Sequence, residues 1–436
     1  MKFLIPDGSE LEGVQHSMEI KYMKYVRLLL IMIGAWPGKA LGEKEVYRLR
    51  FRMFNVFISS STMITGLIYI RHSIGKLSFF EMGQSYITAM MNFICLTRFI
   101  TLLASRKLDD VIVDFVHDVH LFNHRNNSEY SSKTNLFIHK LSHFYTIYTL
   151  GLVSLVAAFF NVTPLINNIS NGGFSGHLAA NVSYEHAVYY ALPFDYQHDF
   201  TGFMIIFTFN WYISFSCGMI FLNYDLIVAL VVFHLWGHLK ILTHSLQYFP
   251  RPGFIFGKAA ENDDENAVAN TETHYSDEEM VEVGKRLKNI INHHKNILKH
   301  SANISEAVGI NVAMYYMFHQ ISGCLLLLEC SQLDPKALIR FGPLTICLIQ
   351  LLTTVSVIFE LISSMTDHVV RAAYYTPWEC MDTKNRKLVI TLLRQTQIPL
   401  GLKAMGMVEV GVQTMASILK TTLSYFMMLR TVADNE

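Results

Sequence analysis

The sequence predicts an all-α, polytopic membrane protein with seven transmembrane helices, a cytoplasmic N-terminus and an extracellular C-terminus. First, 51% of the 436 residues are hydrophobic and only 16% are charged, well below the charged fraction of about a quarter in soluble chains. Second, the apolar residues gather in runs long enough to cross a bilayer. Third, Lys and Arg alternate between rich and poor connecting segments, which indicates the direction of each crossing.

The predicted spans follow one another without an internal repeat. The short run LLLIMIGAW at 28–36 is preceded by a long leader of mixed charge and followed by Pro37, so it predicts a re-entrant or interfacial helix rather than a secretory leader. The apolar run 225–236 predicts that the fourth helix projects beyond the membrane. The seven spans are expected at 54–71, 83–104, 144–166, 201–222, 306–328, 341–362 and 405–429.

The predicted orientation of the chain in the membrane rests on the distribution of Lys and Arg. Of the 35 Lys and Arg residues, 28 lie before span one or between spans two and three, four and five, and six and seven. The opposite segments hold 5, and the segment 167–200 holds none. Since cytoplasmic segments are enriched in Lys and Arg, the N-terminus is predicted inside and the C-terminus outside. The sequons at Asn168 and Asn181 fit an extracellular segment and predict glycosylation there.

Five regions are expected along the chain. They are a cytoplasmic N-terminal segment (1–53), spans one to four (54–257), an acidic and disordered cytoplasmic loop (258–283), spans five and six with cytoplasmic helices (284–404), and span seven with an extracellular C-terminus (405–436). Residues 284–303 have a helical apolar stripe. The stretch 376–400, TPWECMDTKNRKLVITLLRQTQIPL, is too polar to enter lipid, and its Leu positions are expected to pack against 284–303 as a cytoplasmic helix.

Several classes of function are disfavoured. Zero net charge gives no indication of nucleic-acid binding. The chain has no HExxH, P-loop or GxSxG pattern and no paired carboxylates within a span, so an enzyme is not expected. The six Cys residues are irregularly spaced, and the adjacent His293 and His294 diverge on a helix, so neither a metal site nor a cofactor is predicted.

A set of C-terminal residues resembles the signature of insect odorant receptors. The set consists of Ala372, Tyr374, Trp378, Leu393, Arg394, Gln397 and Pro399, then Ile418-Leu419-Lys420 and Ser424-Tyr425-Phe426. The hydropathy plan is similar to that family across essentially the whole chain. The stretch IKYMKYVRLLLIMIGAWPGK near the N-terminus and the closing LKTTLSYFMMLRTV resemble the moth sex-pheromone-receptor branch.

The resemblance implies a ligand-gated, non-selective cation channel in the plasma membrane of olfactory neuron dendrites. Such a subunit works in a heterotetramer with the shared co-receptor, Orco, and responds to a small volatile hydrophobic ligand, here a fatty alcohol, aldehyde or acetate. The long loop insertion of the co-receptor itself is absent. The resemblance also assigns Trp378, Arg394, Gln397 and Pro399 to a cytoplasmic anchor between subunits. A gustatory-type receptor of the same fold is the nearest alternative, and a secondary transporter is a more distant one.

Span seven is expected to line the pore. Its predicted pore stripe is Ser424, Met428, Thr431 and Val432, and by resemblance Met428 and Val432 lie at the narrowing, where an apolar ring can exclude water. Met428 packed against a neighbouring helix is an equally open alternative. Glu409 and Lys420 are predicted to share a face of this span, where each charge must meet another helix, a subunit or water. Arg98 in span two is predicted to snorkel to the inner interface.

The outer halves of spans two to six are expected to enclose the ligand. Aromatic and Met side chains with few hydroxyls suit an apolar chain that bears one polar group. The segment ALPFDYQ (191–197) resembles the family's lid over the pocket. The predicted ligand-binding residues are Met90, Phe93, Ile94, Tyr148, Gly151, Ser154, Phe207, Trp211, Tyr315, Phe318, Thr354 and Val357.

Overall fold

Helices make up nearly all of the structure that is described. The computed structural model describes residues 6, 8–43, 48–77, 79–174, 183–255, 274–331, 335–404 and 408–433. Within these ranges two short antiparallel strands, β1 (Lys403–Ala404) and β2 (Val408–Glu409), are the only sheet. The predicted all-α class is therefore confirmed. The α-helices are α1 (Lys21–Met32), α2 (Arg48–Ser73), α3 (Phe79–Ala104), α4 (Arg106–Asp114), α5 (Glu129–Ser170), α6 (Phe200–Gln247), α7 (Asp277–Ser331), α8 (Pro335–Ser363), α9 (Met365–Tyr374), α10 (Thr383–Thr396) and α11 (Val412–Ala433).

The predicted spans one to four and six lie in α2, α3, α5, α6 and α8. Among the described residues, five segments are long and apolar enough to cross a membrane: Arg52–Ser73, Met82–Ala104, Glu129–Ser170, Phe200–Gln247 and Phe341–Cys380. The predicted fifth span lies inside α7, where polar residues such as Asn311 and His319 lower the mean hydropathy. The predicted seventh span overlaps α11, which also falls short of that criterion.

The helix α7 contains two segments that are predicted separately from the sequence. It runs without a break for 55 residues, through the patterned stretch 284–303 and on through the predicted fifth span. Its start overlaps the acidic loop expected to be disordered at 258–283. Residues 258–273 lie outside the described ranges, but from Asp277 onward the prediction is wrong. Ser276 and Glu279 cap the helix reciprocally, since each side chain accepts the other's backbone N–H.

The N-terminal helix α1 packs against protein rather than crossing the membrane. It begins at Lys21, seven residues before the predicted re-entrant run, and ends at Met32. Tyr22 and Val26 are buried against α5 and α6, whereas Leu28 and Ile31 are exposed. The Tyr22 hydroxyl lies 2.6 Å from His120 Nε2 and 3.1 Å from the Nε2 of a histidine of α6, which fixes α1 on the bundle.

Arg98 does not snorkel, which corrects the expectation for span two. Its guanidinium is 2% exposed and lies 2.9 and 3.1 Å from the two carboxylate oxygens of Asp225 on α6. The rings of Phe221, Tyr224 and Tyr315 surround it at 4.5 to 4.8 Å. A buried arginine is tolerated because the paired carboxylate and the aromatic faces replace water.

Glu409 does not lie in a transmembrane helix, so its predicted place on one face with Lys420 is wrong. The chain forms the β1–β2 hairpin first, with Glu409 opposite Lys403, and α11 begins only at Val412. Lys420 is an exposed residue within α11. The charge that the sequence placed at mid-membrane therefore lies outside the helix, before its first turn.

Candidate functional site

A cavity of about 170 Å³, here named the central cavity, lies among α3, α5, α6, α7 and α8. Its walls are mainly apolar, with a few polar side chains contributed by all five helices. The amide of Asn92 makes no hydrogen bond with the described residues, and the hydroxyls of Tyr148 and Thr354 lie on the same cavity. Asp225, paired with Arg98, forms part of its wall. Such a space suits an apolar molecule with one polar group.

The structure brings only some of the predicted pocket residues to the central cavity. Tyr148, Phe318 and Thr354 line it. Tyr315 lies beside it, at a small void near Arg98. The others are outside the cavity wall: Met90 packs in the core, Ile94 is buried in it, Phe207 packs beside Trp211, and Phe93, Gly151, Ser154, Trp211 and Val357 are exposed on helix surfaces.

The helical face chosen on α5 explains several of these differences. The predicted residues Tyr148, Gly151 and Ser154 are spaced by three, and each step falls about 60° short of a full turn. The observed wall advances by alternating steps of three and four, through Thr149, Leu152 and Val156. A side-chain carbon added at Gly151 would meet no atom within 4 Å, so this position faces open space. On α3, Met91 lines the cavity instead of the predicted Met90, again because neighbouring positions on a helix face different directions.

A second cavity of about 360 Å³, here named the side cavity, lies between α5 and α8. It adjoins the central cavity, and both share the residues Tyr148, Leu152, Val156, Phe160, Leu344 and Cys347. Between the two, Gln350 Nε2 donates to the Tyr148 hydroxyl at 2.8 Å and to Thr354 Oγ1 at 3.3 Å. Small-molecule sites typically measure about 300–1,000 Å³, so the central cavity alone is small and the two together are ample.

The loop between α5 and α6, described over 183–199, closes over one end of the bundle. Tyr196 donates its hydroxyl to Tyr190 O at 2.7 Å and accepts Tyr190 N at 3.0 Å. Tyr190 in turn donates to Asn210 Oδ1 on α6. His186 Nε2 lies 3.0 Å from Tyr196 O, and burial lowers the pKa of His186 to about 4. The segment that resembles a lid, 191–197, belongs to this loop.

The predicted pore residues share an exposed side of α11. Ser424, Met428 and Thr431 are exposed in the single chain, and Thr431 donates to Met427 O in its own helix. The helix backbone includes Val432, but its side chain lies outside the described residues. The opposite side of α11 packs on α7 and α8, where Thr422 is buried and its carbonyl accepts from Cys324 Sγ. This leaves one side of α11 uncovered within the chain.

The predicted anchor residues lie at the opposite end from the α5–α6 loop. The 3-10 turn Trp378–Cys380 packs on α10, and α10 packs on α7, where Asn385 Nδ2 donates to Met280 O at 2.9 Å. Val389 and Leu392 are buried in this contact. The stretch 376–400 is therefore helical and packs against α7 as expected, and α10 ends at Thr396. Its predicted assembly residues Trp378, Arg394, Gln397 and Pro399 are all exposed.

The predicted glycosylation site Asn168 is buried in the structure. It is 2% exposed, its Nδ2 donates to Glu185 O, and its Oδ1 accepts Glu185 N, both at 2.8 Å. Because this amide is buried, a glycan attached to its nitrogen would clash with the surrounding residues, so the folded structure argues against this site. Asn181 lies outside the described residues.

Comparison with known proteins connects this architecture to a family. Residues 78–423 match the family model described as 7tm Odorant receptor. A search of curated proteins gives no significant match. Among solved structures, the olfactory receptor OR5 from Machilis hrabei is 14% identical with a TM-score of 0.74, covering 94% of this chain and 98% of that one. The structure of the same receptor in complex with eugenol gives the same values.

The two comparisons support different statements. At 14% identity the structural match establishes the fold alone, a seven-transmembrane all-α fold. The family model establishes descent, because it covers well over half of the chain and includes every helix that lines the central cavity. The chain therefore belongs to the seven-transmembrane odorant receptor family.

Proposed function

We propose that the protein is an odorant-receptor subunit, a ligand-gated non-selective cation channel opened by a volatile hydrophobic molecule in a heteromer with Orco. The central cavity is the observation that carries this proposal. It is largely apolar, it lies among five helices, and it offers polar groups at Asn92, Tyr148 and Thr354. The match to a receptor whose structure was also determined with eugenol supports a small organic ligand.

The ligand class follows from the shape and chemistry of the cavities. A mainly apolar space that continues from the central into the side cavity fits a long chain better than a compact ring. We assign the polar end of a fatty alcohol, aldehyde or acetate to the Asn92 and Tyr148 groups. This agrees with the resemblance to the moth pheromone-receptor branch.

The membrane orientation and the assembly are part of the same proposal. The Lys and Arg distribution supports a cytoplasmic N-terminus and a cytoplasmic position of α10. The exposed side of α11 supports a pore formed with other subunits, and the exposed Trp378, Arg394, Gln397 and Pro399 support subunit contacts in the cytoplasm. Localisation in the dendrites of olfactory neurons is also part of this proposal, and the resemblance to the family supports it.

Co-expression with Orco in a heterologous cell tests the function. We expect an inward cation current in excised patches, without added nucleotide, when fatty alcohols, aldehydes or acetates of graded chain length are applied. Cells that express Orco alone or this chain alone serve as controls. A response that requires GTP, or silence across the panel with both proteins at the surface, would contradict the proposal. Substrate accumulation without current would favour a transporter instead.

A further inference from the structure

The side cavity opens toward lipid between α5 and α8. Leu155 and Phe159 on α5 are 55% and 52% exposed, and Ile346 on α8 is 71% exposed. All three line the side cavity, and both helices contain segments apolar and long enough to span a membrane. The mouth of the cavity is therefore a gap on the lipid-facing surface, rimmed by large apolar side chains.

Two prolines help to explain why a gap exists there. Pro164 lies within α5 and Pro343 within α8, and both line the side cavity. A proline inside a helix removes one backbone hydrogen bond and its ring crowds the carbonyl four residues earlier. Those carbonyls belong to Phe160 and Ile339, which line the same cavity. Each helix thus continues but lacks one backbone hydrogen bond at the level of the opening.

The inner end of the side cavity leads to the central cavity. The six shared wall residues surround the junction, and the hydrogen bond from Gln350 to Tyr148 crosses it from α8 to α5. Tyr148 accepts this bond, so its own O–H remains available as a donor. The side-chain carbonyl of Gln350, Oε1, has no hydrogen bond to the described residues. An alcohol that reaches the junction can use both groups, and an aldehyde or ester can use the Tyr148 hydroxyl.

At the end of the bundle, the described part of the α5–α6 loop (183–199) is held in shape by the Tyr190–Tyr196 pair and His186. Tyr190 also fixes it to α6 by donating to Asn210 Oδ1. Gln84 of α3 also ties the loop down, because its Nε2 donates to the carbonyls of His186 and Ala187. Gly202 lets the loop approach α6 closely, since a side-chain carbon there would lie 2.4 Å from Asp195 O.

We propose that apolar ligands reach the central cavity from the hydrocarbon layer of the membrane, through the side cavity, past the Tyr148–Gln350 bond. This access route rests on the proposed function. It is chemically reasonable because long apolar molecules leave water for lipid and so concentrate beside the mouth. The α5–α6 loop then serves as a fixed cover, and the α5–α8 gap is where ligands enter and leave.

Kinetic measurements separate an access route from a binding contact. Narrowing a route slows ligand arrival and departure by the same factor and leaves the equilibrium affinity unchanged, whereas altering a contact changes mainly departure. We therefore propose rapid application of a fatty alcohol to patches that carry Ile346→Trp with Orco. Activation and washout rates should both fall about tenfold, an added barrier of about 1.4 kcal/mol, with unchanged half-maximal concentration.

Ile349→Trp is the matched control. Ile349 is 40% exposed on the same helix but does not line either cavity, so its variant should keep wild-type rates. Ile346→Ala widens the mouth and should accelerate both rates, which tests the route even if the Trp variant does not reach the surface. Unchanged rates in Ile346→Ala and Ile346→Trp, or equal slowing by Ile349→Trp, would overturn the route. A wild-type receptor silent to every ligand would instead contradict the proposed function.

Discussion

The Glu360 carboxylate of α8 accepts the Val412 backbone N–H at 3.1 Å and so caps the start of α11. The cap lies next to Gly411, where a side-chain carbon would come 2.4 Å from Glu360 Oε2. About one and a half turns earlier on α8, Thr354 and Val355 line the central cavity. One helix therefore links the cavity wall to the first turn of the proposed pore helix.

Removing this cap should change gating. A lost helix cap costs about 0.5–2 kcal/mol, so Glu360→Ala should shift the half-maximal concentration about fivefold without changing the order of ligand potency. Gly411→Ala should act in the same direction, because its methyl group displaces the carboxylate. Gly401→Ala is the control, since nothing lies within 4 Å of its added carbon. Concentration–response curves provide the measurement, and wild-type curves for both Glu360→Ala and Gly411→Ala would refute the link.

The Arg98–Asp225 pair should be required for folding. Asp225→Ala leaves a buried guanidinium without its partner, at a cost of about 3–5 kcal/mol. We expect strong loss of surface protein and of melting temperature in detergent. The double variant Arg98→Met with Asp225→Leu removes both charges and should recover much of that loss. A double variant no better than the single one would show that the charges themselves are needed.

Filling the junction of the two cavities should shorten the preferred ligand. Leu152 lines both cavities, so Leu152→Phe removes space that a long chain would occupy. One methylene in an apolar pocket is worth about 1–3 kcal/mol, so preference should move to shorter chains by about tenfold or more. Gly151→Ala, on the adjacent exposed position, should keep the wild-type profile across a graded series of alcohols. An identical shift in both variants would place the effect outside the cavity.

Acid should destabilise the end of the bundle opposite the α5–α6 loop through its buried histidines. His293 Nε2 lies 3.0 Å from His238 Nδ1, and burial, aided by His124, lowers the pKa of His293 to about 4. A lowered folded-state pKa means that the folded protein binds fewer protons, so stability is present above pH 6.5 and is lost as pH falls toward 4. Melting temperatures over this window should fall less steeply for His293→Gln. The remaining slope is expected from His120, whose pKa burial lowers to about 3.

Met428 should control conduction rather than ligand choice. Its side chain is exposed on the uncovered side of α11, away from both cavities. Met428→Ala should therefore alter single-channel conductance or rectification while the order of ligand potency stays the same. Met427→Ala provides a neighbouring exposed control on the same helix. A changed potency order with unchanged conductance would remove Met428 from the pore.

Features that depend on local sequence could be predicted, whereas features that depend on contacts between distant helices could not. Spans in α2, α3, α5, α6 and α8 were predictable, because a run of apolar residues fixes where a chain can cross lipid. The pocket face was not, because Gly151 and Leu152 are both compatible with a helix and only the neighbouring helices decide which one meets a cavity. The partner of Arg98 lies 127 residues away in sequence. The position of Glu409 was predicted wrongly for a local reason. A short hairpin there interrupts a sequence pattern that is otherwise helical.

The uninterrupted α7 has a mechanical consequence. At about 1.5 Å per residue, its 55 residues form a rod on the order of 80 Å long. This one helix contributes Phe318 to the central cavity and also contacts both α11 and α10. A small tilt of α7 at the cavity produces a larger displacement at its far end, because displacement grows with distance along a rigid helix. In the proposed heteromer, the stiffness of this single helix would transmit occupancy of the cavity to the subunit contacts.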